Sequence, residues 1–290
     1  MRDLLPKFDY HNPQSLQETL ALLDEHKADA RVLAGGTDLI VNLRALQETP
    51  GHLIDIKGVK EFRNLSFGEA DGLSVGAAVS LNQVVHYDAA LEVYPILAEA
   101  ASTIGDYEVR NRGTLVGNIC NGSPAADSAP ALLVLEAMVN VASKTNTRKV
   151  PIQDFFKGVK KTTLAPNEMV TSINVPIPPA KSRGGYMKAR RTMGEDLAMV
   201  GVAALVTSGS KLENKVRLAY ASVAPTPVRA YEAEKIFEKN KPIDQLLDEA
   251  IPTVMKAVCP ISDVRAGKAY RANLVRVMTK RLVRGLWEIN

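Results

Sequence analysis

The residue types best suited to holding a ligand are concentrated between residues 105 and 127. This stretch reads GDYEVRNRGTLVGNICNGSPAAD and combines four glycines, three asparagines, a serine and a threonine. Glycine lets the backbone approach a ligand closely, while asparagine and threonine offer uncharged hydrogen-bonding groups. The composition predicts a loop that wraps an uncharged or phosphate-bearing cofactor. A long turn between helices is the alternative interpretation.

A second glycine segment lies earlier in the chain. Residues 31–40 read RVLAGGTDLI, which predicts a short strand, a tight turn at Gly35 and Gly36, and an apolar continuation. Successive backbone N–H groups at such a turn can bind an anion, and neither glycine has a Cβ to hold a diphosphate away. The segment lacks GxGxxG, and no GxxxxGK[ST] is present. An ordinary turn is the alternative here too.

The remaining reactive residue types form no catalytic group. Ser123 lies in Gly-Ser-Pro rather than GxSxG, which disfavours a serine hydrolase. Cys120 and Cys259 are the only cysteines, so this chain alone cannot hold a cysteine-ligated iron–sulfur cluster. Without metal-ligand spacing, four scattered histidines are predicted to be ordinary surface or core residues: His11, His26, His52 and His86. The absence of an acid, base or nucleophile favours a redox cofactor that carries the chemistry itself.

Composition and charge narrow the class of protein. The 290 residues are 46% hydrophobic and 23% charged, which predicts a globular protein of two domains. A net charge of +4, without aromatic residues among the basic patches, argues against nucleic-acid binding. The N-terminus lacks the apolar core of a signal peptide, and no apolar run reaches about 18 residues. We expect a cytoplasmic protein without a membrane span.

Short strands and helices are predicted to position the two glycine segments. Ser15 and Ser80 each begin a capping box, and a helix starting at Pro95 ends before Gly105. The predicted strands of the first half are residues 31–33, 52–56, 73–77 and 139–143, and an apolar helix spans 129–138. A proline cluster places the domain boundary at 176/177.

The second half, residues 177–290, is predicted to contain strands first and helices after them. Strands are expected around Tyr186 and Lys188 and at residues 197–207 and 216–223. Helices are expected at residues 228–239, 243–259 and 268–289. This order favours an α+β domain with helices on one face of an antiparallel sheet.

The two glycine segments together resemble a known family. VLAGGTDL at residues 32–39 and RGTLVGN at 112–118, followed by Asp127, resemble the FAD-binding subunits of molybdenum hydroxylases of the xanthine, carbon monoxide and nicotinate dehydrogenase types. YMKARR at residues 186–191 and DVRA at 263–266 extend the similarity through the C-terminal half. The resemblance implies an α+β fold, with a PCMH-type FAD-binding domain of two α/β subdomains (1–176) and a C-terminal domain of the CO dehydrogenase flavoprotein type (177–290).

The resemblance also implies roles for individual residues. Residues 32–39 would hold the FAD diphosphate, residues 114–118 with Gly105 would form a second wall, and Asp127 would accept hydrogen bonds from cofactor hydroxyls. Lys188 would lie near the flavin ring, where a cation stabilises the anionic reduced form. The implied cofactor-binding residues are Val32, Leu33, Ala34, Gly35, Gly36, Thr37, Asp38, Leu39, Gly105, Thr114, Leu115, Val116, Gly117, Asn118, Asp127, Leu164, Ile173 and Lys188.

One position departs from the family pattern. Val116 stands where the family usually has the first of two adjacent glycines. Valine disfavours a positive φ and adds bulk, so the backbone contact at this position is expected to differ. The cysteine-rich insertion with which some relatives hold an extra iron–sulfur cluster is also absent.

The implied function is that of a flavoprotein subunit. Partner chains would hold the molybdenum cofactor and two [2Fe–2S] clusters, and electrons would cross the clusters to FAD and then pass to NAD or another acceptor. No catalytic residue and no metal ligand are expected on this chain. Two alternatives stay open: a self-sufficient flavin oxidoreductase, which would need its own acid or base, and a cofactor-free scaffold or nucleotide-binding module.

Overall fold

A parallel three-stranded sheet opens the chain. The computed structural model describes residues 5–192, 194, 196–208 and 214–287. The elements of the first subdomain are β1 (Asp9–His11), α1 (Leu16–His26), β2 (Ala30–Leu33), α2 (Leu39–Arg44) and β3 (His52–Asp55). The strand order is β1-β3-β2, so β2 is an edge strand and the turn at residues 35–36 leaves its carboxyl end.

Helix α1 begins at a serine cap that forms only half of the predicted box. The hydroxyl of Ser15 accepts a hydrogen bond from the Glu18 N–H at 3.1 Å. The carboxylate of Glu18 accepts from the Gln14 N–H, at 2.8 Å, rather than from Ser15. Leu20 and Leu23 then bury one face of the helix.

The second subdomain is built on an antiparallel five-stranded sheet. Its strands are β4 (Leu65–Gly68), β5 (Gly72–Gly76), β6 (Met138–Ala142), β7 (Thr147–Pro151) and β10 (Met169–Val175), in the order β4-β5-β10-β6-β7. A small hairpin contains β8 (Phe156–Gly158) and β9 (Lys161–Thr162). The helices are α3 (Leu81–Val85), α4 (Asp88–Val93), α5 (Pro95–Ser102) and α9 (Ile152–Phe155). Ser80 and Gln83 form the complete capping box that the sequence predicts for α3.

The glycine-rich stretch at residues 105–127 is helical over two parts of its length, so the predicted long loop is wrong there. It contains α6 (Tyr107–Arg112) and α7 (Leu115–Cys120) and leads into α8 (Ser128–Val134). Asp106 and Thr114 cap the two short helices by accepting hydrogen bonds from the N–H groups three residues later, at 2.7 and 2.9 Å. These caps outweigh the low helix propensity of glycine and asparagine. The prediction of helix to residue 138 is also too long, because Met138 begins β6.

The last part of the chain forms an antiparallel four-stranded sheet. Its strands are β11 (Ser182–Ala189), β12 (Val200–Thr207), β13 (Lys215–Ala221) and β14 (Val228–Arg229), in that order. Its helices are α10 (Tyr231–Glu234), α11 (Ile243–Ala257) and α12 (Lys268–Trp287). The helix predicted at 228–239 is therefore wrong at its start, where residues 228–229 pair with β13. Residues 288–289 of the last predicted helix lie outside the described residues.

Both faces of this sheet are buried. Along β12, Val202, Ala204 and Val206 pack with the helices that follow the sheet, while Ala203 and Leu205 belong to the core of the preceding subdomains. Helices α5 and α8 cover that second face. The prediction of helices on one face is thus incomplete, because the first domain supplies the other layer. The predicted α+β class is confirmed.

A helix that spans a membrane has to be both long and apolar. None of the described helices between residues 5 and 287 is both long and apolar enough to cross a bilayer.

Candidate functional site

A cavity of about 880 Å³ runs along β2, the edge strand of the parallel sheet. Its walls come from the turn after β2, from α6 and α7, from the segment before α8, and from Lys188 on β11. Ligand sites in proteins commonly span about 300–1,000 Å³, so the cavity has room for a large cofactor. The three-, five- and four-stranded sheets thus contribute directly or through their connections to one site.

The two glycine segments are in direct backbone contact. A Cβ placed on Gly35 would lie 2.1 Å from the carbonyl oxygen of Arg112 and 2.7 Å from Cα of Gly113. No side chain fits at that distance, so glycine at position 35 lets the two walls meet. Gly36 has φ +77°, a conformation that glycine adopts readily. The sequence places these glycines correctly, but the contact between the segments appears only in the tertiary structure.

The turn after β2 leaves backbone donors free at the cavity. Within the described residues, the N–H groups of residues 35–38 donate to no protein acceptor. The turn leads straight into α2, where the N–H of Ile40 already donates to the carbonyl of Gly36 at 3.0 Å. Consecutive free amide groups at a turn and a helix start bind phosphate well. This wall of the cavity can therefore hold a diphosphate.

Val116 occupies a helical position in the second wall. It lies in α7 and is 4% exposed, packed in the main hydrophobic core. Its φ is not among the positive values of the described residues, so glycine is not needed there for conformational reasons. The expected change in backbone contact at Val116 stays a prediction. The side chain itself points its bulk into the core rather than into the cavity.

A buried ion pair closes one end of the cavity. The Nζ of Lys188 donates to Oδ2 of Asp127 at 2.8 Å and to the carbonyl of Thr103 at 2.9 Å. The hydroxyl of Tyr186 donates to Oδ1 of Asp127 at 2.6 Å. The side chains of Lys188 and Asp127 are each 4% exposed. The ammonium is thus neutralised by a carboxylate and fixed in position.

Burial also alters the acid–base properties of this group. Desolvation raises the pKa of the Asp127 carboxyl, and the Lys188 ammonium and the Tyr186 hydroxyl partly oppose that rise. Burial, together with the neighbouring Asp127, raises the pKa of the Tyr186 hydroxyl well above its usual range. Tyr186 is therefore a hydrogen-bond donor at neutral pH. A carboxylate offers about four lone-pair directions, so Asp127 retains capacity for a ligand hydroxyl.

At the outer part of the cavity, hydrogen-bonded polar side chains connect the two glycine segments. The amide of Asn121 donates to Oδ1 of Asp38 at 2.7 Å and accepts from Lys160 Nζ at 2.6 Å. Farther along, Arg31 Nε donates to Glu48 Oε2 at 2.6 Å. Positive and negative side chains alternate here, so this part suits the polar portion of a ligand rather than a bare anion.

Most of the predicted site residues lie together at this cavity. Those that line it are Val32, Ala34, Gly35, Gly36, Thr37, Asp38, Leu39, Gly105, Thr114, Gly117, Asn118, Asp127, Leu164 and Lys188. Four predicted residues do not line it: Leu33, Leu115, Val116 and Ile173. The last three of these are core residues. Their contact with a cofactor stays a prediction, and it would have to involve the backbone.

Sequence reasoning missed several residues of the cavity wall. Arg265, Lys160 and Asn121 supply polar groups, and Ile104 and Leu197 supply apolar surface. Asn121 lies inside the glycine-rich stretch at residues 105–127, and the asparagine content of that stretch is a signal that could have identified this residue. Arg265 lies in the DVRA segment and could have been included with it. Nothing in the local sequence marks Lys160, Ile104 or Leu197.

Three of the four histidines are also gathered by the fold, away from the cavity. His11, His26 and His52 have ring nitrogens that all lie within 4.8 Å of one another. Their separation along the chain concealed this arrangement, and the expectation that each is an ordinary surface or core histidine stays a prediction. His86 stands apart, with Nδ1 2.7 Å from the carbonyl oxygen of Asn82.

Comparison with known proteins agrees with this geometry. The family described as "FAD binding domain in molybdopterin dehydrogenase" matches residues 6–178, and "CO dehydrogenase flavoprotein C-terminal domain" matches residues 185–286. The xanthine dehydrogenase FAD-binding subunit of Escherichia coli O157:H7 is 32% identical over 276 residues, covering 94% of each chain. The carbon monoxide dehydrogenase medium chain of Afipia carboxidovorans is 30% identical over 276 residues, covering 95% of each.

Solved structures show the same likeness. A chain of carbon monoxide dehydrogenase from Hydrogenophaga pseudoflava superposes with a TM-score of 0.93 at 32% identity, covering 98% of this chain and 99% of that one. A chain of quinoline 2-oxidoreductase from Pseudomonas putida 86 gives a TM-score of 0.89 at 27% identity, covering 98% of each. With its two matched domains and its cavity between the glycine segments, the chain belongs to the FAD-binding oxidoreductase subunits of the molybdenum hydroxylase family.

Proposed function

We propose that this chain is the electron-transferring flavin subunit of a molybdenum hydroxylase complex. A large partner subunit would hold the molybdenum cofactor, where substrate is hydroxylated, and a small partner would hold the [2Fe–2S] clusters. Electrons would reach FAD from those clusters and leave to NAD or another acceptor. The support comes from the relatives, which are named as a medium chain and as a FAD-binding subunit.

The observation that carries this proposal is that the two ends of the cavity offer different groups to a ligand. One wall offers free backbone N–H groups at residues 35–38, while the other end holds the neutral pair of Asp127 and Lys188. A diphosphate fits the first wall, and hydroxyl groups fit the remaining lone pairs of Asp127. FAD supplies a two-electron carrier when it is bound. The chain's own residues hold and orient FAD and exclude water from the buried end of the cavity.

The cavity shows no arrangement suited to acting on a substrate independently. Cys120 lines the wall, but burial raises the pKa of its thiol to about 12, so it is not a nucleophile at neutral pH. Tyr186 and Lys188 are both committed to Asp127. These groups position a cofactor rather than move protons on a substrate. A self-sufficient flavin oxidoreductase is therefore disfavoured.

The proposal extends to domain organisation and location. We place the domains at residues 1–176 and 177–290, between the end of β10 at Val175 and the start of β11 at Ser182. Cys120 and Cys259 are both free thiols, which suits a reducing compartment. A cytoplasmic location follows as part of the same proposal.

The first test is the absorption spectrum of the purified chain, expressed without partners. We expect flavin bands, and FAD in the supernatant after heat denaturation. A colourless protein that also rejects added FAD would contradict the assignment and favour a cofactor-free scaffold.

The second test addresses the division of function between subunits. The flavin-loaded chain alone should oxidise no hydroxylase substrate, whereas the complex copurified with its partners should reduce the flavin when substrate is added. Substrate oxidation by the chain alone would overturn the subunit proposal and leave FAD binding intact.

A further inference from the structure

Three histidines from three different elements of the first subdomain meet beside the parallel sheet. His11 ends β1, His26 lies in the last turn of α1, and His52 begins β3. β1 is the edge strand opposite β2, and none of the three histidines lines the cavity beside β2. The histidine cluster, as we call these three residues, is therefore separate from the candidate cofactor site.

The rings of the histidine cluster are unusually close. Nε2 of His11 lies 3.0 Å from Nδ1 of His52, and the ring centroids of His26 and His52 are 3.6 Å apart with 17° between their planes. Two nitrogens at 3.0 Å must share one proton, or one metal ion, between them. The side chains of His26 and His52 are only 17% and 20% exposed, so their freedom to separate is limited.

From this arrangement we propose a binding site for one divalent transition-metal ion, ligated by His11, His26 and His52. Imidazole nitrogen suits Zn²⁺ and its neighbours among the first-row metals. Tetrahedral ligation at about 2.0–2.1 Å per Zn–N bond places ligand nitrogens about 3.3 Å apart. The three nitrogens already lie within 4.8 Å of one another, so ring rotations rather than backbone movement bring them to the metal.

The local electrostatics favour a cation at this position. Oδ2 of Asp9 lies 3.9 Å from Nδ1 of His52, and Oε1 of Glu25 lies 4.0 Å from Nε2 of His26. His26 is also at the carboxyl end of α1, where the helix dipole is negative. Asp9 is 80% exposed and is free to turn toward the metal or toward a ligating imidazole. A fourth position stays open to water or to this carboxylate.

The backbone fixes the three ligands relative to one another. β1 and β3 are hydrogen-bonded parallel partners with Asp9 opposite His52 and His11 opposite Ile54, and α1 packs against β3. β1 has only three residues and lies at the edge of the sheet. A metal at the histidine cluster would clamp this short strand to its neighbours. Its role is structural, because its ligands lie outside the cavity.

The test is a calorimetric titration of the full chain with Zn²⁺ after dialysis against EDTA. We expect one equivalent to bind and the melting temperature to rise by about 5 °C or more at roughly 100 times the dissociation constant. His52→Ala should weaken binding by at least about 10-fold, because a lost ligand costs no less than a lost outer-shell partner. His86→Ala is the matched control and should bind as tightly as the wild type.

Two further outcomes decide the matter. His26→Ala, at the end of a helix, provides an independent variant if His52→Ala does not fold, and it should weaken binding in the same way. Equal Zn²⁺ affinity in the wild type, His26→Ala and His86→Ala would overturn the site, as would the absence of one-to-one binding. Either result would leave the flavin proposal untouched, because FAD binding is measured separately by its absorption.

Discussion

The two ends of helix α8 both carry ion pairs to the four-stranded sheet, and the pair at the amino end lines the candidate cofactor cavity. At the amino end, Asp127 pairs with Lys188 of β11, and both side chains are 4% exposed. At the carboxyl end, Glu136 pairs with Arg229 of β14, whose guanidinium also pairs with Glu234. Asp127 at the amino end and Arg229 near the carboxyl end match the helix dipole, whereas Glu136 opposes it and is compensated by Arg229.

The difference lies in what remains available to a ligand. The guanidinium of Arg229 is 6% exposed, and its three nitrogens donate to Glu136, Glu234 and the carbonyl of Leu133. Asp127 and Lys188 line the cavity and retain capacity for further hydrogen bonds. A buried ion pair is therefore not by itself a functional signal. The Asp127–Lys188 pair differs from the ion pairs of Arg229 because it lies at the cavity.

Lys188→Met is expected to have the largest effect. The variant leaves the Asp127 carboxylate buried with only Tyr186 as a partner, and an uncompensated buried charge costs about 3–5 kcal/mol. Both the free energy of unfolding in urea and the amount of FAD retained should fall. The double variant Asp127→Asn/Lys188→Met should regain much of the stability, since it buries no charge. If the free energy of unfolding of Lys188→Met differed from that of the wild type by no more than about 1 kcal/mol, the buried pair would contribute no more than a surface ion pair.

Arg229→Met tests the other end of α8. It leaves Glu234 without its charged partner, and since Glu136 is half-exposed and can be hydrated, we expect a loss of about 3 kcal/mol. The FAD content per folded chain should equal that of the wild type. Loss of FAD from folded Arg229→Met protein would show that the two ends of the helix do not divide the roles as described.

Gly35→Ala asks whether the cavity depends on its backbone wall as well as on the ion pair. The added methyl would clash with the Arg112 carbonyl and push the two glycine segments apart. Overpacking of this kind costs about 1–3 kcal/mol. FAD affinity, measured by fluorescence titration of the apoprotein, should fall more than stability does. The control Gly158→Ala, where a Cβ meets nothing within 4 Å, should change neither quantity.

A pH profile gives the smallest expected change and concerns Asp127 alone. Burial raises the pKa of this carboxyl in the folded chain, so the folded state holds its proton more tightly than the unfolded state. The resulting stabilisation is complete below the usual pKa and is lost as pH rises through the raised value. Asp127→Asn removes the titration, so the wild type should lose stability relative to this variant as pH rises from below the usual aspartate pKa through the raised one. If the free energies of unfolding of the wild type and of Asp127→Asn, measured in urea, changed with pH in parallel, the raised pKa of Asp127 would be contradicted.

Local patterns identified the parts of the molecule whose structure depends on nearby residues. The strand and turn around Gly35 and Gly36, the capping box at Ser80 and the helix starting at Pro95 were all predicted correctly. Turn and cap geometry is set by backbone conformation and by hydrogen bonds within a few residues, so sequence carries it. In the stretch at 105–127, composition favours a loop, whereas the caps at Asp106 and Thr114 stabilise two short helices.

The sequence by itself determined the family, the glycine segments and fourteen of the residues that line the cavity, because these depend on residue type and short spacing. Tertiary structure alone decided that Lys188 neutralises Asp127, that Gly35 lets two backbones touch, and that His11, His26 and His52 converge. Each of those contacts joins residues from separate elements, and sequence spacing says nothing about which elements become neighbours. The packing that buries both faces of the four-stranded sheet brings Lys188 to Asp127, because Lys188 lies on that sheet and α8, which follows Asp127, covers one of its faces.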